Sequence, residues 1–151
     1  MKYLREFLLC LIVGGAPLAV FAFFHGSESM IDSFTSISPS DEVVLYLFSL
    51  FLIHCVLYGL NKFLLKRPSI AELVPTILKF THDAGFAIHS IYRAAVGAIP
   101  TVLAIMAYQH NGYVPLKVLL LSVLFTSAGL VMCVFFSWMD DKTKPREPAY
   151  N

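Results

Sequence analysis

Charge is what this sequence has least of: Lys, Arg, Asp and Glu make up 14% of its 151 residues, against 58% hydrophobic. Soluble domains carry about a quarter of their residues as charges, so a surface exposed to water on all sides is excluded. A net charge of +1 leaves no electrostatic footprint for nucleic acid. Cysteine is sparse too, at three residues. Cys10, Cys55 and Cys133 stand singly in apolar settings, without a Cys-x-x-Cys pair or zinc-ligand spacing, and read as packing residues. A glycine-rich phosphate loop, a nucleophile elbow and paired carboxylates are missing too, so no catalytic residue, metal or cofactor is expected.

What the sequence has instead is long apolar runs. A hydrocarbon core about 30 Å thick needs roughly 20 mainly apolar helical residues. Four stretches meet that length or come near it: Phe7 to Phe24, Val43 to Leu60, Phe86 to Tyr108 and Leu116 to Trp138. They predict an all-α, four-helix transmembrane bundle forming a single domain over residues 1–138, with the lipid bilayer as its first partner. Residues 139–151, including "DDKTKPREPAYN", are polar, hold two prolines and are expected to be a disordered tail. The first run could also begin a cleaved secretory signal, but no clear small-x-small site follows it. Pro17, behind Gly14 and Gly15, is expected to kink this helix.

Basic residues fall on one side of these runs. Lys2 and Arg5 precede the first, Lys62, Lys66, Arg67 and Lys79 separate the second from the third, and Lys142, Lys144 and Arg146 follow the fourth. The connection from His25 to Glu42 has no Lys or Arg and carries Glu28, Asp32, Asp41 and Glu42, which suggests a long, flexible outer loop. Short loops rich in Lys and Arg stay cytoplasmic, so both termini are expected inside a bacterial-type inner membrane. Tyr46, Tyr108 and Tyr113 at the outer ends and Trp138 at an inner end fit aromatic belts. Within the inner loop, Ser69 and Glu72 have capping-box spacing and Ile70, Leu73, Val74, Ile77 and Leu78 share a face, so a short amphipathic helix bent at Pro75 is expected there.

Small residues mark packing seams. Ser90, Ala94, Gly97, Thr101 and Ala104 recur along the third run, and Ser122, Thr126, Gly129 and Cys133 along the fourth. Helices in lipid associate where small residues let backbones approach, so the two seams are expected to face each other. Arg93 poses the sharper question. It lies near mid-bilayer, yet every Asp and Glu falls outside the four runs as drawn, which leaves no buried carboxylate to neutralise it. One resolution is snorkelling toward the headgroups. The other is a polar cleft between the second and third helices, with His54, Tyr58 and Asn61 on one wall and His89 and Arg93 on the other, suited to an anion.

Three functions remain open on these residues: a non-enzymatic protein that binds a membrane-embedded partner or a second copy of itself, a small transporter or channel subunit using the Arg93 cleft, and an anchor in which His54 and His89 hold haem or which binds a quinone. The lack of an acid inside a span separates the chain from the small multidrug exporters, which rely on one. Four spans, internal termini, a short chain and the first-span sequence "LIVGGAPLAVF", with Gly14, Pro17 and Leu18 in a Gly-x-x-Pro-Leu match, resemble the inner-membrane immunity proteins that protect bacteria against pore-forming colicins. The resemblance implies recognition of a toxin's pore domain within the bilayer; no site residue carries over from it.

Overall fold

The computed structural model describes residues 2–37, 41–65 and 75–143, and apart from Gly26 and residues 110–115 every one of them is helical. Four helices are long and apolar enough to cross a membrane: Lys2–His25, Glu42–Phe63, Lys79–Gln109 and Leu116–Lys142, the first to fourth spans below. By length and composition the chain is a multi-pass membrane protein.

The first span is helical over Lys2–Cys10, π-helical over Leu11–Gly15 and helical again over Ala16–His25. Pro17 supplies the reason. It has no N–H for the carbonyl four residues back, and the Ala16 N–H reaches the Leu11 oxygen, a five-residue step that widens the turn. At the far end Gly26, at φ 88°, breaks the helix in a conformation that favours glycine, and a further helix, Ser27–Ile37, folds back far enough to bury Met30. The outer connection expected to be flexible is thus helical over that stretch, and Gln109 Nε2 donates to Ser27 Oγ at 2.7 Å to tie it to the third span.

The second span belongs to the helix Asp41–Leu65. The expected amphipathic segment at Ser69 to Val74 lies outside the described residues. From Pro75, which suits a first helical position, one helix runs unbroken to Gln109 and continues into the third span. Its end is closed by Asn111 and Gly112 at φ 52° and 86°, with the Gly112 N–H on the Ala107 oxygen at 2.7 Å. The last helix, Leu116–Thr143, corrects the expected boundary at residue 138: Met139 is buried, and the helix carries Asp140 to Lys142 into the stretch read as tail, while residues 144–151 lie outside the described ones.

The third span is the hub. One third of its most apolar window (33%) is buried within the chain, against 6% for the second and fourth spans. The expected pairing of the two small-residue seams is corrected here. A Cβ on Gly97 would overlap the Cys10 carbonyl, one on Gly14 the Ala94 carbonyl, and one on Gly15 the Thr101 hydroxyl, so Ala94, Gly97 and Thr101 face the first span. Gly129 instead receives the Val96 side chain, and Cys133 meets Cys10. Ser90 returns its hydroxyl to the Phe86 carbonyl, and Ala104 is exposed. The first and third spans therefore approach backbone to backbone at Gly14 and Gly97, while the fourth packs by a small-against-large fit. Phe136, fully buried, fills the centre with its ring 4.3 Å from His54, 4.9 Å from Tyr92 and 5.8 Å from His89.

Candidate functional site

Arg93 has a carboxylate after all. Its Nε donates to Glu6 Oε2 at 3.0 Å and its Nη2 to both oxygens at 2.9 and 3.0 Å, a fork that suits the planar guanidinium. The Glu6 side chain is 2% exposed and that of Arg93 10%, so Arg93 does not snorkel to headgroups: it bridges the third span to the first. Glu6 lies one turn before Cys10 and shares its buried face.

The network continues through the two histidines. His89 Nε2 stands 3.7 Å from Glu6 Oε2, and its Nδ1 lies 2.9 Å from Asp140 Oδ2. Asp140 turns its other oxygen toward His54 Nε2 at 3.6 Å, and His54 Nδ1 lies 3.1 Å from the Gly85 carbonyl. Glu6, His89, Asp140 and His54 therefore come one from each span, in the order first, third, fourth, second. His54 and His89 are nearly inaccessible (2% and 1% exposed), so burial in a low-dielectric setting makes each of these contacts count for more than it would in water.

Of the five residues expected to line a cleft, the structure brings His54, His89 and Arg93 into this network. Asn61 accepts a hydrogen bond from Thr81 instead, joining the second and third spans a little further along. Tyr58 packs 6.2 Å from Trp138, with Lys62 Nζ 5.7 Å from its ring centre. The cleft itself is closed down to a hollow of about 10 Å³ lined by His54, Tyr58, Asn61, Thr81, His82 and Asp140. That is the volume of a single water position, and the buried His82 Nδ1, which has no hydrogen-bond partner among the described residues, is one group such a water would satisfy. The fixed positive charge that was to attract an anion is held by Glu6, and the imidazoles proposed for haem converge on Asp140.

Glu6, Asp140 and Thr81 went unrecognised in the sequence because spans were drawn to end at the last apolar residue, which places any flanking acid outside them. Helical phase held the missing signal: Glu6 with Cys10 and Phe136 with Asp140 are four residues apart, so each acid extends a buried face by one turn. A second feature lies between spans. Phe7, Pro100, Leu103, Ser122, Val123, Thr126 and Ser127 line an open groove of about 160 Å³. Pro100 contributes in two ways, since its ring forms part of the wall and it has no N–H to give the Val96 carbonyl.

Fold and network together define a multi-pass helical membrane protein in which, among the described residues, a buried Glu6–Arg93 ion pair is joined to a polar network drawn from all four spans. Comparison with protein-family models, curated proteins and solved structures finds no match to the chain.

Proposed function

We propose that this is a non-enzymatic inner-membrane protein, with both termini cytoplasmic, that works by binding another membrane-embedded protein in the manner of the immunity proteins against pore-forming colicins. The observation behind this reading is the groove. Ser33, Ser49, Ser90 and Thr101 each return their hydroxyl to the carbonyl four residues back, whereas Ser122, Thr126 and Ser127, which line the groove, make no such bond among the described residues. Unpaired hydroxyls in hydrocarbon favour association with a helix that offers them acceptors. The occupant is a membrane-spanning helix of the partner, its small or polar face against the groove.

The test is protection. Cells expressing the chain are challenged with a panel of pore-forming, colicin-type toxins, and survival against at least one is the expected result. Thr126→Leu and Ser127→Trp, at normal membrane abundance, are expected to abolish it, and a photoreactive residue at Val123, on the groove wall, should cross-link to that toxin while one at Leu52 on the second span should not. Survival no better than without the chain across the panel counts against the immunity reading; survival unchanged in both variants counts against the groove.

The orientation carries its own check. Reporter fusions after Glu72 and Lys144 are expected to report cytoplasm and one at Ser33 the outside, following the Lys and Arg asymmetry. A cytoplasmic signal at Ser33 overturns it.

A further inference from the structure

Cys10 and Cys133, 123 positions apart and read singly from the sequence, meet with their sulfurs 4.0 Å apart, both at 0% exposure. Neither thiol is used by the charge network or the groove. Their backbones are set by other contacts: the Cys10 carbonyl is seated on Gly97, and Cys133 lies one turn after Gly129, which packs on Val96. We propose that this pair is a site of reversible oxidation, at which an intrachain disulfide ties the first span to the fourth.

The geometry is short of a disulfide by little. A sulfur–sulfur bond is about 2.05 Å long, so the thiols have about 2 Å to close, a distance within reach of side-chain rotation. The setting also selects the oxidant. Both sulfurs lie inside spans and have no exposed surface, so an oxidant meets them only when the packing opens within the bilayer; the reagent present there is one that dissolves in hydrocarbon, and a lipid hydroperoxide is the fitting chemical class. One thiol attacks the terminal oxygen of the peroxide as its proton passes to the departing alkoxide; the O–O bond breaks, the alcohol leaves and the sulfur becomes a sulfenic acid. The second thiol then attacks that sulfur, the S–S bond forms, and the hydroxyl departs with the thiol proton as water. Two thiols and one hydroperoxide give one disulfide, one alcohol and one water. Cys55 is only half-buried and takes no part.

The full chain carrying Cys55→Ser, in lipid nanodiscs, is treated with tert-butyl hydroperoxide, quenched, unfolded in detergent with a maleimide and examined by intact mass and peptide mapping. The expected outcome is a majority species that has lost two hydrogen atoms, takes up no maleimide, yields a Cys10–Cys133 linked peptide and regains both thiols on reduction. Glutathione disulfide, which is polar and stays in water, is expected to act at least tenfold more slowly. Cys10→Ser and Cys133→Ser in the same background should each keep a single sulfur that forms no intrachain link. Full alkylation of both thiols after peroxide treatment, or oxidation to sulfinic acid without a link, overturns the proposal. So does linkage that forms only after the protein has been unfolded.

Discussion

Glu6→Leu and Arg93→Met are each expected to destabilise the bundle by about 3–5 kcal/mol, while the double variant Glu6→Leu/Arg93→Met should lose far less. Each single change leaves one full charge in a site that water does not reach, since Glu6 is 1% and Arg93 9% exposed. The double change removes both charges and puts apolar side chains of similar reach in their place. Arg93→Lys is expected to fall between, because one ammonium keeps the charge but cannot donate from both Nε and Nη2 to the carboxylate. Unfolding in detergent micelles, followed by loss of helical signal with denaturant, gives the four free energies of the cycle. A double variant as unstable as the sum of the singles would show that the two residues do not act as a pair. The exposed neighbour Arg5, 3.8 Å from Glu6 but 66% exposed, is the control, and Arg5→Ala should be close to silent.

The four spans were legible in the sequence because lipid imposes one strong requirement, a long apolar run, that side-chain detail does not alter. Their exact ends were not. Hydropathy registers the average of a window, and a single acid on the buried face of a helix end, such as Glu6 or Asp140, is indistinguishable there from one that meets water. That one ambiguity left Arg93 open between snorkelling and an anion-seeking charge, where the structure pairs it with Glu6. The small residues were also legible as seams, but a seam does not name what it faces. Gly14 and Gly15 read as a kink before Pro17, yet the widened turn at Leu11–Gly15 also brings them against the third span. Which sulfur meets which was beyond reach for the same reason, since the meeting of Cys10 and Cys133 depends on how two spans far apart in sequence pack together.

The contact between first and third spans predicts a contrast in sign among three glycines. Gly97→Ala is expected to destabilise at or above the roughly 1–3 kcal/mol typical of overpacking, because the added methyl meets the carbonyl of Cys10, part of a helix backbone that cannot turn aside. Gly129→Ala meets the Val96 side chain, its Cγ2 methyl nearest, so Val96→Ala in the same chain should recover most of the loss. Gly59→Ala, with nothing among the described residues within 4 Å of the new methyl, is expected to stabilise its helix by roughly 0.5–1 kcal/mol through backbone entropy. The measurement is again denaturant unfolding in micelles, with Val96→Ala alone as reference. A Gly97→Ala protein as stable as the parent would place the first span elsewhere. If Val96→Ala rescued Gly97→Ala as well as Gly129→Ala, the rescue would be a general effect of loosened packing and not relief of the contact between Val96 and Gly129. Rescue confined to Gly129→Ala is the expected pattern, because only there does the obstacle belong to a side chain that can be shortened.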